Sequence, residues 1–212
     1  MKCIILGDKY EKGMKSKGCS ALLYIDKKIN LLEEQYQKIK KSFPNCQIIY
    51  VYGYESKKID DYFNKKDYKI TFIQNHMYEN TGYATSLNLA KEYIDQDCFI
   101  LSGNVRYDSK LLREINRANS QVIINTKQPY KLGCSIDENM IVNTIIYGAN
   151  NYLTNCYFIK KHDIDIMKFL LSDNNNLNNF IFEIINKMID FGVEFSLNDI
   201  NSKSKFQKYT PK

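Results

Sequence analysis

The sequence predicts an α/β fold: a mainly parallel, mixed sheet flanked by helices, with a β-hairpin and further helices towards the C-terminus. Two observations carry this. Short β-branched runs alternate with amphipathic helical stretches as far as Thr126, the order that a parallel sheet with crossover helices requires. Beyond Leu132 two β-type runs flank Glu138-Asn139, which reads as a hairpin.

Lys2–Leu6 is the first strand, and a loop rich in glycine and lysine, residues 7–20, follows it. Ala21–Ile25 is apolar and ends in a turn at Asp26-Lys27-Lys28. Asn30–Phe43 is a helix, because Leu32, Tyr36, Ile39 and Phe43 recur at helical spacing. Asn30 and Glu33 have the spacing of a capping box, and Pro44 bars continuation. Cys46–Tyr52 is a strand, Ser56–Asn64 a short helix and Lys69–Gln74 a third strand. A polar loop, 75–83, leads into a helix over Ala84–Ile94. Cys98–Leu101 is the fourth strand; Asp108 caps a helix over Ser109–Ala118, and Gln121–Thr126 is the fifth strand. Tyr152–Ile159 is a further strand. Helices are expected near 163–171 and 176–190, with Gly192 as the C′ glycine of the second. Val193–Leu197 closes the pattern. The expected organisation is one domain over residues 1–200 and a loose, Lys-rich tail over 201–212.

Composition narrows the function classes. The 212 residues are 44% hydrophobic and 25% charged, ordinary for a globular domain, and no apolar run is long enough for a bilayer span. The opening MKCIILGD turns polar too quickly for a signal peptide. Six cysteines without metal-ligand spacing read as reduced thiols, so a cytoplasmic location is expected. The net charge of +6 favours an anionic ligand, but no basic block is dense enough for a nucleic-acid patch.

In open α/β sheets ligands sit at the carboxyl ends of the strands. Three loops lie there. The first, GDKYEKGMKSKGCS, holds three glycines and four lysines that could cradle phosphates, although it has neither the P-loop nor the dinucleotide spacing. Gly7, Asp8, Gly13, Lys15 and Lys17 are its candidate nucleotide-binding residues. The second, NHMYENTGYATSL, offers backbone groups at Thr81 and Gly82 to a planar base, with Ser86 at the helix start. His76 in this loop reads as a surface residue. The third is Ser102-Gly103-Asn104, where a glycine and a short polar side chain follow a strand. An aspartate at that place would suit Mg²⁺, whereas Asn104 offers a neutral oxygen.

The order of these loops resembles that of the sugar-phosphate and choline-phosphate nucleotidyltransferases, a family with a GT-A-like α/β fold. KCIILGDKYEKGMKSKGCSALLYIDKKINLLEEQ is similar to the family's opening strand, glycine loop with G-x-G-x-R, P-K-x-L-L-x-I and helix start. NHMYENTGYATSLNLAKEYI is similar to its base-contacting loop and helix, particularly in the choline-phosphate branch, and CFILSGNVRYDSKLL follows the layout of its strand, G-D and short helix. The likeness covers about residues 1–116 and is looser beyond. Two departures stand out. The family's lysine in P-K is Ser20 here, and its metal-binding aspartate is Asn104.

The resemblance implies nucleotidyl transfer from an NTP to a sugar phosphate or phosphocholine-like acceptor, with release of pyrophosphate and with Mg²⁺ as cofactor. Lys15 and Lys17 would stand in for the missing catalytic lysine, and Asn104 with Asp199 would hold the metal; Glu183 is a weaker candidate. Such chemistry is mostly charge neutralisation and positioning. Two unit charges about 4 Å apart interact by roughly 4 kcal/mol at an effective dielectric near 20, so a lost charge can cost roughly a thousandfold in rate. A second reading is therefore a catalytically inactive relative that binds nucleotide or sugar phosphate, or works with a partner chain. A third, a GT-A-like glycosyltransferase, would need D-x-D at the metal strand, whereas Asp163-Ile164-Asp165 has that pattern at a helix start.

Overall fold

The computed structural model describes residues 1–10, 15–25, 28–125, 132–200 and 206–208. Its elements run β1 (Lys2–Leu6), α1 (Leu31–Ser42), β2 (Gln47–Tyr52), α2 (Ser56–Phe63), β3 (Ile70–Gln74), α3 (Tyr83–Leu89), β4 (Cys98–Ser102), β5 (Val105–Tyr107), α4 (Ser109–Glu114) and β6 (Ser120–Ile124). Then come β7 (Leu132–Ile136), β8 (Val142–Tyr147), β9 (Asn151–Ile159), α5 (Ile164–Ser172), α6 (Ile181–Asp190), β10 (Phe195–Asp199) and β11 (Phe206–Lys208). The main sheet has the order β10-β6-β9-β4-β1-β2-β3, with the β7-β8 hairpin attached through β9. Strands β1 to β4 are mutually parallel, and β9 runs antiparallel between β4 and β6. The mixed α/β architecture read from the alternation is what the chain adopts.

Side chains alternate across the strands, so each face of the sheet has its own core. Ile4 and Leu6 join Ile100, Val122 and the apolar faces of α3, α5 and α6. Cys3 and Ile5 join Phe99, Phe158 and the faces of α1 and α2. All six cysteines are buried, unpaired thiols. Burial pushes Cys19 and Cys46 up to about 11, so neither supplies a thiolate nucleophile near neutral pH.

Local signals explain most boundaries. Asn30 caps α1, its side chain accepting from Glu33 N–H while Glu33 accepts from Asn30 N–H, the reciprocal pair that the spacing predicts. Gly192 has φ +87°, as a C′ glycine does. Five expectations need correction. The helix expected from residue 176 starts at Ile181, because the carbonyls of Leu177 and Asn179 accept from Thr85 N–H and Ala84 N–H. The helix expected to reach Ile94 ends at Leu89 and continues as a separate tight turn, Lys91–Tyr93. The helix expected over Ser109–Ala118 ends at Glu114, and residues 105–107, given no element from the sequence, form β5. The tail is not wholly loose: Phe206–Lys208 pairs antiparallel with β5. The turn at Asp26-Lys27 lies outside the described residues. Among the described residues no helix is long and apolar enough to cross a membrane.

Candidate active site

The three loops do meet. Gly103 N–H donates to the Leu6 carbonyl over 2.7 Å. A Cβ on Gly103 would lie 2.6 Å from Gly7 Cα and 2.9 Å from the Leu6 carbonyl oxygen, so two glycines are what let the first and third loops touch. Helix α1 braces the turn from beneath. Gln35 donates to the carbonyls of Ser102 (3.3 Å) and Val105 (2.7 Å). Arg106 makes a two-pronged ion pair with Glu34, at 2.9 and 2.6 Å.

The first and second loops are knitted together by residues expected to face a nucleotide. Asp8 is fully buried. Its Oδ2 accepts from Asn75 Nδ2 (3.0 Å) and Ser86 Oγ (2.8 Å), while its Oδ1 has no hydrogen-bond partner. Burial pushes the Asp8 carboxyl above its ordinary range, against the pull of Ser86, Lys9 and Asn75. Asp8 and Ser86 therefore point inward, and the reason is packing: both side chains close the gap between β1 and α3. Lys9 completes the seam. Its Nζ donates to the carbonyls of Tyr78 (2.6 Å) and Thr81, and lies 5.6 Å from the centre of the Tyr83 ring. The Thr81 hydroxyl donates to the Met77 carbonyl (2.9 Å). Gly82 backs onto the Asn178 and Asn179 carbonyls, close enough that no Cβ would fit.

Lys15 and Lys17 sit on an exposed turn. The Lys15 ammonium lies 5.2 Å from the Tyr10 ring, and its carbonyl accepts from Tyr54 OH (2.6 Å). Gly18 has φ +92°, and the following Cys19 N–H donates to Glu55 (2.9 Å), which ties the turn to the start of α2. Gly13 lies outside the described residues.

Asn104 lines a cavity of about 260 Å³ at the carboxyl ends of β1 and β4. Its Oδ1 accepts from Ser102 Oγ over 2.7 Å. The walls include Tyr83, Tyr147, Tyr157, Phe180 and Phe182, and no charged side chain is among the lining residues. The far wall is a bulge in β9, where the register with β6 jumps from Ile123↔Cys156 to Ile124↔Leu153. Asn155 in this bulge has φ +57° and lines the cavity, and Thr154 Oγ1 donates to the Ile123 carbonyl (2.6 Å). Bulges and left-handed non-glycine residues mark places where a sheet re-aims side chains.

Asn104 follows β4 and Asp199 ends β10, with β9 and β6 between those two strands in the sheet order. Among the described residues no group of three or more His, Cys, Asp or Glu side chains could hold a metal ion. A neutral amide already bonded to Ser102 does not by itself fit Mg²⁺, a hard cation that favours charged oxygen. Glu183 is used within the chain, accepting from Phe180 N–H (2.7 Å). His76 is exposed. The Asp163-Ile164-Asp165 pattern is at the amino end of β6, where Asp163 accepts from Ser120 Oγ (2.5 Å). That is the edge of the sheet opposite the loops, so this D-x-D does not reach the candidate site.

Comparison with known proteins agrees with this geometry. No family model matches the chain. Over 165 residues it is 29% identical to the bifunctional protein GlmU of Methanococcus vannielii, a match covering 75% of this chain and 36% of that protein. The chain thus spans little more than a third of the length of that relative. The CTP:phosphocholine cytidylyltransferase of Streptococcus pneumoniae, LicC, superposes with a TM-score of 0.80 at 15% identity, over 98% of this chain and 92% of that one. The chain shares the fold of that cytidylyltransferase. The inositol-1-phosphate CTP transferase of T. maritima superposes with a TM-score of 0.69 at 14% identity, covering 98% of this chain and 88% of the other. A nucleoside-diphosphate-sugar pyrophosphorylase from Vibrio cholerae gives 0.70 at 11%, covering 96% and 94%.

Sequence reasoning missed Lys9 and the cavity walls. Lys9 was one lysine among four in its loop. Asn155 had a faint signal, an asparagine inside an otherwise strand-like run. The aromatic walls come from elements far apart in the chain and left no local pattern.

Proposed function

We propose that this nucleotidyltransferase-like chain, as a single domain over residues 1–200, transfers a nucleotidyl group from a nucleoside triphosphate to a phosphorylated small acceptor. The observation that supports it is the cavity shared by Leu6 and Asn104, at the meeting point of three loops. An acceptor phosphate oxygen forms the new bond to the α-phosphorus, the bond from that phosphorus to the bridging oxygen breaks, and pyrophosphate leaves. The chain's part is positioning and charge. Lys15 and Lys17 lie on the first loop to meet the phosphates, and Asn104 holds the acceptor side. No step is assigned to Mg²⁺: among the described residues no group of three or more His, Cys, Asp or Glu side chains could hold it. The aromatic, uncharged walls favour a compact cationic head group, held over ring faces as in a phosphocholine-like acceptor. A sugar would leave more hydroxyls to satisfy than Ser102, Asn104, Thr154 and Asn155 can serve.

One observation favours a second reading, a binding module without turnover. Ser20 and Asn104 stand where the related family carries charge, and Thr81 and Gly82 already have partners within the chain. Pyrophosphate release with each NTP, Mg²⁺ and a panel of phosphocholine and sugar 1-phosphates separates the two. Release with a matching nucleotidyl product by mass spectrometry is expected. Saturable binding without release would establish the second reading, and neither would refute both.

A further inference from the structure

We infer that Lys9 is a further cation, beside Lys15 and Lys17, through which this chain grips the phosphates of a nucleoside triphosphate, helping to replace the charge that Ser20 does not supply. The inference rests on the nucleotidyl-transfer reading and adds a binding residue to it.

Position is the first argument. Lys9 follows Gly7 and Asp8 at the carboxyl end of β1, and its ammonium lies 5.6 Å from the centre of the Tyr83 ring. Tyr83 walls the cavity together with Leu6 and Asn104, so the ammonium lies beside a residue of that cavity's wall.

The second argument is charge. Lys2, Lys38, Lys58, Lys66, Lys69 and Lys160 each pair with a carboxylate. Lys9 does not: its two hydrogen bonds go to neutral carbonyls, and the adjacent Asp8 carboxylate is turned to Asn75 and Ser86. A cation partly withdrawn from water, hydrogen-bonded only to neutral carbonyls and with Asp8 as its nearby charge, keeps attraction for a further anion. Burial accordingly holds its pKa below the ordinary lysine range, against the pull of Asp8.

The third argument is exchange. A phosphate oxygen makes a shorter and stronger bond to an ammonium than a carbonyl does. A lysine stem is long and flexible, so Nζ can swing from the Tyr78 and Thr81 carbonyls to a phosphate without moving β1. Those carbonyls belong to the loop proposed to meet the base, which couples phosphate capture to the state of that loop.

The test compares the unaltered chain with Lys9→Met and Lys9→Arg by calorimetry, using each NTP, inorganic tripolyphosphate and the uncharged nucleosides, at low and moderate salt. Lys9→Met is expected to weaken NTP and tripolyphosphate binding by about tenfold, roughly 1.4 kcal/mol. It should also flatten the salt dependence, leave nucleoside affinity within about twofold, and be largely rescued by Lys9→Arg. Equal losses for nucleoside and triphosphate would make Lys9 a loop brace and overturn the inference. So would unchanged or tighter triphosphate binding by Lys9→Met; with the unaltered chain still binding NTP, the nucleotidyl-transfer reading would survive that result. Failure of the unaltered chain to bind any NTP would overturn both.

Discussion

Replacing Glu33 with glutamine gives a prediction worked from counted contacts. Glu33 is 2% exposed. Its Oε2 accepts from Asn30 N–H at 3.1 Å, and its Oε1 accepts from Tyr62 OH and Tyr68 OH, each at 3.2 Å, and from Lys66 Nζ at 3.0 Å. Burial pushes the carboxyl up, but the bonds from Asn30, Lys66 and Tyr62 outweigh it and hold it below 4.5. Lys66 reaches solvent, so its share is small. Glutamine keeps the shape, but its NH2 cannot accept from Asn30 N–H, so that bond is lost while the two tyrosine bonds lose their charge assistance. Each such change is worth about 1 kcal/mol, and because they share one group the total is about 2 kcal/mol. For a chain of this size that is about 4–8 °C in Tm. A carboxyl whose folded pKa is depressed stabilises above its unfolded pKa and loses that contribution as pH falls through the folded value. Thermal melts followed by circular dichroism should therefore show the gap in full at pH 7, closing as pH falls below 4.5. No gap at pH 7, or the same gap at every pH, would refute the reasoning.

Three further outcomes are expected. Asn104→Asp combined with Ser20→Lys should tighten Mg²⁺-dependent NTP binding or raise pyrophosphate release, by up to roughly a thousandfold if only the transition state feels the charge; unchanged binding and turnover would count against the site. Gly103→Ala puts its Cβ 2.6 Å from Gly7 Cα, against backbone that has no rotamer to escape with, and should cost about 1–3 kcal/mol in urea denaturation. The buried Asp8 carboxyl titrates above its ordinary range because of burial, so its ionised form is disfavoured on folding and stability declines as pH rises through the window above 3.8. Asp8→Asn should remove that slope, as read from melts across mildly acidic pH.

Local signals made the fold legible. The capping box at Asn30, the bar at Pro44 and the strand runs through β4 depend on neighbours in sequence, and the structure keeps them within a residue or two. The errors fall where distant partners decide. Leu177 and Asn179 leave the helical path because α3 takes their carbonyls, and no spacing rule sees a contact between segments so far apart. The site divides in the same way. That three loops would meet followed from strand direction, and the pair Gly7 and Gly103 makes it possible. Which way Asp8 and Ser86 point did not follow, since a polar residue in a glycine loop looks the same whether it faces solvent or a neighbouring helix. Asp199 was paired with Asn104 by analogy of order, and β9 and β6 lie between their strands in the sheet.

The cavity walls begin at Leu6 and end at Phe182, which ties ligand recognition to residues spread from β1 to α6. A chain still emerging from the ribosome, or a fragment stopping short of α6, has no hollow to offer. A small molecule can therefore reward only the finished product: it would rescue variants that fold and then fall apart, and do nothing for those that stall earlier.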